Sequence, residues 1–151
     1  MAHVRTQIRN AVIAALVGLP TTGNRIYPGR TLPLDLDRAG GPALLVFAGD
    51  EPEVEVVGFG VPRMEQHTLL LHVRGLAKAG INLEDVLDQI ALEVQPAIGG
   101  SAALQGALAK GCDLVAVQAG EDETLEQPVG MITLTWRCQY YIYADNPSVS
   151  V

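Results

Sequence analysis

Val4, Ile8, Val12 and Leu16 recur every four residues, the spacing that places side chains on one face of a helix. The spacing predicts a helix over Ala2–Val17, ended by Gly18 and Pro20. The continuous apolar run Pro42–Ala48 predicts a strand buried on both faces, followed by a turn at Gly49–Pro52. Glu53 and Glu55 alternate with Val54 and Val56, the pattern of a half-exposed strand. A stronger strand runs from Met64 to Leu76, with Leu69, Leu71 and Val73 on one face and Thr68, Leu70, His72 and Arg74 on the other. That element is expected at the centre of a sheet.

Asn82 is placed to cap a second helix, with Glu84 and Asp85 in the first turn, where the helix dipole favours negative charge. Leu83, Val86, Leu87, Ile90 and Val94 trace its apolar stripe, and Pro96 is expected to end or kink it. Ser101 is expected to cap a short helix through Leu108, and Leu114–Ala119 reads as a strand. The clearest strand is Val129–Tyr143. Ile132, Leu134, Trp136, Cys138, Tyr140 and Ile142 point one way, and Met131, Thr133, Thr135, Arg137, Gln139 and Tyr141 the other. An apolar face opposite a largely polar one is what an antiparallel sheet shows when helices cover one side.

The fold class expected is therefore α+β: a mostly antiparallel sheet with two main helices packed on one face, and long loops. Residues 1–143 are expected to form a single domain and 144–151 a flexible tail. Pro20–Gly41 is a long segment in which Asn24–Tyr27 predicts a short strand and Pro28-Gly29 a turn. Loops of that length in a small domain are commonly functional. Gly58–Pro62 reads as a bulge or bend between strand segments, and Glu121–Pro128 as an acidic loop.

The chain of 151 residues has length enough for one core without a disulfide or metal. Its 48% apolar content excludes global disorder. The formal charge of −7, with Lys and Arg scattered singly, argues against a nucleic-acid reader, which needs a basic patch. No apolar stretch is long enough to span a membrane as a helix. Arg5 and Arg9 before Ala11–Leu19 resemble the charged and apolar parts of a secretory leader, but no small-residue cleavage site follows and the period of four favours a helix. Two cysteines, Cys112 and Cys138, are expected as reduced thiols.

Chemistry is sparse. His67 and His72 are five apart on a strand and face opposite sides, so they cannot share an ion; no metal and no cofactor is expected. Ser101, Ser148 and Ser150 sit in no nucleophile turn, and Cys138 lies on an apolar face where a thiol packs as a small hydrophobe. Gly58-Phe59-Gly60-Val61-Pro62-Arg63 lacks the third glycine and helix start of a phosphate cradle. Glu53 and Glu55 read as the charges of a defended edge strand. No catalytic residue is assigned.

Four stretches carry a resemblance: Val4–Gly23 with its Gly-Leu-Pro-Thr-Thr-Gly exit and the following Arg25-Ile26-Tyr27-Pro28; Pro42–Phe47 with Gly49-Asp50-Glu51; Ile81–Ala91; and Pro128–Leu134. In this order the chain resembles the tail terminator proteins (also called tail completion or minor tail proteins) of long-tailed bacteriophages. The resemblance implies a virion protein of the tail or neck, assembled in the bacterial cytoplasm. It implies a ring, of six copies, that caps the tail tube, ends its polymerisation and joins it to the head connector. Its partners would be itself, the tube protein and the connector protein, with DNA passing the channel unbound. An acidic channel wall would repel that DNA rather than hold it.

Tyr27, Arg30, Asp35, Asp37 and Arg38 in the long segment are the expected contacts to a neighbour or the tube. The alternatives are another ring component of neck or tube, or a small ligand-binding or enzymatic domain using His72, Cys112 or Glu55.

Overall fold

The period-four stripe at the start of the chain folds as α1 (Val4–Leu16) in the computed structural model, which describes residues 2–29, 41–122 and 129–151. Val4, Ile8, Val12 and Leu16 are all fully buried. His3 caps the helix, its Nδ1 accepting from the Arg5 backbone N–H at 3.1 Å, and Gly18 leaves it with a φ of +86°, a conformation open to glycine at no steric cost. The turn that follows is tied down by Glu93: the Thr21 N–H and Oγ1 donate to its two carboxylate oxygens at 2.9 and 2.6 Å.

The sheet comprises β1 (Ile26–Pro28), β2 (Ala43–Ala48), β3 (Glu53–Val57), β4 (Met64–Lys78), β5 (Gly111–Asp122) and β6 (Val129–Tyr143). Their order is β1-β2-β4-β6-β5, with β3 also on β4, beside β2. All pairs are antiparallel except β1 with β2. This is the α+β architecture read from the sequence. The axis is the β4–β6 pair, in register from Met64↔Tyr143 to Lys78↔Val129. β5 follows β6 with one slip between Leu114 and Ala116, a bulge that leaves Val115 without a partner.

Strand alternation then sorts the core. Leu44, Val46, Leu69, Leu71, Val73, Leu134, Trp136, Cys138 and Tyr140 face α1 and a second helix, α2 (Leu83–Gly99). The opposite face carries a smaller patch of Ala43, Leu45, Phe47, Leu76 and Val129, so β2 is buried on both sides, as its unbroken apolar run predicts. α2 approaches the sheet closely enough to require glycine beneath it. A Cβ on Gly75 would sit 2.8 Å from Ile90 Cγ2, and one on Gly130 would meet the Leu83 side chain.

Five expectations change. α2 continues through Pro96, expected to end or kink it, as far as Gly99. Pro96 and Leu92 both lie on the exposed face, so the carbonyl the ring frees is on the water side, while buried Ile98 holds the last turn. The Asn82 side chain makes no capping bond, and Glu84 and Asp85 alone supply first-turn negative charge. The segment after Ser101 is a wide π-type turn, Ala103–Ala107, interrupted by non-helical Gln105 and Gly106. Gly58–Pro62 is the tip of a hairpin between β3 and β4, where positive φ values at Gly58 and Gly60 reverse the chain.

The last eight residues, expected as a free tail, are held against the body. The Val4 N–H and Gln7 Nε2 donate to the Pro147 and Ser148 carbonyls at 2.9 and 2.7 Å, and Ser150 Oγ donates to the Leu108 carbonyl at 2.6 Å. The first-turn N–H groups of α1 lack intrahelical acceptors, and these carbonyls satisfy one of them.

Replacing Gly75 by Val should lower unfolding free energy by about 1–3 kcal/mol, the range for overpacked cores. Gly111→Ala, where no atom lies within 4 Å, should change it by less than about 0.5 kcal/mol in the same urea titrations.

Candidate functional site

Of the expected contact residues, Tyr27 is described; Arg30, Asp35, Asp37 and Arg38 lie outside the described residues. Tyr27 stands opposite Leu45 on β1 and packs, half-buried, on the smaller apolar patch of the helix-free face. It is therefore a wall of that patch as much as a surface residue.

The three residues of the enzymatic alternative are not brought together. His72 lies on the helix-free face of β4, its Nδ1 2.9 Å from Thr135 Oγ1 and its ring 5.1 Å from that of Phe47. Cys112 is on the helix face, directly opposite Cys138, and both thiols are free and buried. The contact with Cys112 and burial push the Cys138 thiol far up, away from the thiolate that nucleophilic chemistry needs. Glu55 is exposed on β3 opposite Gln66, six positions along β4 from His72, or about 20 Å. Among the described residues no group of three His, Cys, Asp or Glu is placed to hold a metal ion, and no helix is long and apolar enough to cross a membrane.

The densest polar cluster forms where β4, β6, the β2–β3 turn and the start of α1 meet. His67, read from sequence as an isolated histidine, is 8% exposed and sits between two carboxylates. Its Nδ1 is 3.0 Å from Glu51 Oε2 and its Nε2 2.9 Å from Glu65 Oε1. The Tyr140 hydroxyl donates to Glu51 Oε1 at 2.7 Å, and its ring stacks on His67 with centroids 4.9 Å apart. Arg5 reaches the same carboxylate at 3.9 Å.

Burial alone would raise the Glu51 carboxyl. The hydrogen bonds from His67 and Tyr140 and the charges of His67 and Arg5 outweigh it, so Glu51 lies below its ordinary value. Burial and the bond to Glu51 push the Tyr140 hydroxyl up, keeping it a donor. The period of two that places Glu65 and His67 on one strand face is the one signal the sequence holds for this cluster; Glu51 and Tyr140 arrive through tertiary pairing.

The second feature is the sheet's open edges, of which the short β1, paired only with β2 among the described residues, is one and β3 and β5 are two more. Among the described residues β3 pairs only with β4, and β5 only with β6. Val54 and Val56 on β3 stand opposite His67 and Glu65, on the helix face, yet are 50% and 58% exposed. The half-exposed strand expected here is thus exposed on both faces, because the helices pack over β2, β4 and β6 and stop short of it. On β5, Val115 and Val117 are 45% and 50% exposed, and Val117 stands opposite Leu134, again on the helix face.

No protein-family model and no curated protein matches this chain. Among solved structures it is similar to a chain of the "Virion of native gene transfer agent (GTA) particle", at 19% identity and a TM-score of 0.46, over 91% of this chain and 90% of that one.

The depressed Glu51 carboxyl has a defined pH consequence. Its contribution to stability is fully present above the unfolded carboxyl value of about 4.3 and is lost as pH falls through its lower folded value. Glu51→Gln should cost about 1.5–3 kcal/mol at pH 7, the range for hydrogen bonds to charged groups. In urea unfolding across pH 3–7, the gap between variant and wild type should narrow towards the acid end.

Proposed function

We propose that this chain is a structural virion protein that assembles through its own sheet edges into a closed ring, acting as the terminator of a phage-type tail. The observation that carries the ring is that β3 and β5, on opposite sides of the β4–β6 pair, are both open edges among the described residues, with exposed Val54 and Val56 on the helix face of β3 and exposed Val117 on that face of β5. β3 runs against β4, β4 against β6, and β6 against β5, so β3 and β5 run in opposite directions. A second copy related by rotation brings its β3 antiparallel to β5 of the first, and the valines meet as cross-strand pairs. The two patches lie on different surfaces of one molecule, so the contact is heterologous, the type that closes into a ring when the rotation between neighbours closes.

The geometry of closure is reasonable. Matching Val54 and Val56 with Val115 and Val117 shifts neighbours by about six residues, or 20 Å, along the strands. Four strand spacings separate one β3 from the next, about 19 Å, so the strands tilt by about 45° to the ring axis, near the 35–45° of closed barrels.

The assignment as a terminator rests on the four stretches that resemble that family. In this role the ring caps the tail tube, ends its growth and meets the head connector. Nothing in the described residues assembles a nucleophile or a metal site, and the reading needs neither.

Light scattering and electron microscopy of the purified chain should show single rings of one copy number. The double change Val54→Lys with Val56→Lys, or Val117→Lys alone, should reduce them to monomers with unchanged circular dichroism. A wild-type monomer at tens of micromolar overturns the ring; long stacked tubes overturn the terminator in favour of a tube subunit.

A further inference from the structure

Cys112 and Cys138 stand directly opposite each other on β5 and β6, both turned into the main core on the helix face. The backbone around Cys112 fixes which kind of cross-strand pair this is. Gln105, at the non-helical break of the π-type turn, spans the outer edge of β5 there. Its Nε2 donates to the Cys112 carbonyl at 3.1 Å, and its Oε1 accepts from the Cys112 N–H at 3.5 Å. In an antiparallel ladder the N–H and C=O of one residue point to the same side, so those of Cys112 point away from β6. Cys112 and Cys138 are therefore a non-hydrogen-bonded pair, the kind whose Cα atoms lie about 4.5 Å apart and whose side chains come closest. A disulfide needs Cα atoms about 4.4–6.8 Å apart.

We propose that Cys112 and Cys138 are an oxidisable pair that closes into a cross-strand disulfide and staples the edge strand β5 to β6, the oxidant being a small-molecule disulfide such as oxidised glutathione. β5 pairs only with β6 among the described residues, so this one covalent bond fastens an edge strand to the axis of the sheet. Closing the loop 112–138 also restricts the unfolded chain, which favours the folded state further.

The reaction runs in two exchanges. Local opening of β5 exposes Cys112, whose thiolate attacks one sulfur of the small disulfide and expels its other half as a thiolate. The Cys138 sulfur then loses its proton and attacks Cys112 Sγ, which forms the Cys112–Cys138 bond and expels the second thiolate. The two protons given up by the cysteines end on the two released thiols; the protein loses two electrons and the small disulfide gains them. Contact with Cys112 and burial keep Cys138 protonated in the closed strand, so it enters second, once opening and the capture of Cys112 have removed both. A thiol-rich cytosol keeps such a pair reduced and an oxidising exterior closes it; on the virion reading proposed above, it is open during assembly and closed after release.

Peptide mapping tests the bond. Native protein is held at about pH 8 in a glutathione buffer, blocked with an alkylating reagent and digested with trypsin without reduction. Cleavage after Lys110 and Arg137 separates the two cysteines, so peptides 111–137 and 138–151 should appear joined. Two alkylated thiols, or cysteines that each retain a glutathione, overturn the proposal. The oxidised protein should also unfold at higher urea than the reduced protein, and its β5 amides should exchange about tenfold more slowly. A lower urea midpoint after oxidation, or the same slowing in Cys138→Ser, overturns the staple. The bond is read in monomer and ring alike, so its failure leaves the ring standing, and a monomeric protein leaves the bond standing.

Discussion

The fifteen-residue antiparallel pairing of β4 with β6 is the constraint on which the rest of the structure depends. Once Val73 stands opposite Leu134, strand alternation leaves no freedom in which side chains face the helices. A one-residue slip would turn Leu69, Leu71 and Val73 to the polar face, and Arg74 and His72 under α1 and α2. Glycine at Gly75 and Gly130 belongs to the same constraint. Both lie on these two strands, on the face that α2 covers, and the absence of a side chain there lets the helix settle onto the ladder. The same alternation puts His67 and Tyr140 side by side at one end, so the polar cluster is a continuation of the core's register.

What could be read in the chain was what depends on period. The fours of α1, the twos of β4 and β6 and the unbroken apolar run of β2 each report their own burial, and each appears in the structure with ends within two residues of those expected, β6 with both unchanged. What could not be read depends on which face meets water or on a partner far away in sequence. Pro96 looks like a stop until its exposure shows that the freed carbonyl is on the solvent side. The last eight residues look unstructured because the N–H groups that bind them belong to α1, more than 130 positions earlier. For β3, alternation of Glu and Val reports a strand, but not that the helices end before reaching it.

The candidate site follows the same division. His67 was legible as a histidine on a strand, with no partner assigned to it. Nothing in the sequence places Glu51 or Tyr140 beside them, since one comes from a turn and the other from a strand over seventy positions away. The contact residues drawn from the long loop met a different limit. Tyr27 proves to be part of an apolar patch, and the other four lie outside the described residues. The thiols show why residue type alone is a poor guide to chemistry. Two cysteines directly across a ladder suggest reactivity, yet the contact with Cys112 and burial disfavour the thiolate of Cys138.

An exposed sheet edge is a hazard that proteins manage with short strands, charge, bulges or a covering partner. β3 is short and carries Glu53 and Glu55; β5 carries a bulge at Val115. These devices block indiscriminate pairing, but they do not account for half-exposed Val54, Val56 and Val117 on one face of these two edges. Side chains of that kind are favoured by burial of about 25 cal/mol per Å² of apolar surface, so leaving them in water on both edges is costly unless something covers them. Charge and bulge exclude pairings in the wrong register, and the valines favour one that fits. An edge equipped both to refuse most partners and to accept one is what a subunit needs when it must join copies of itself and then stop.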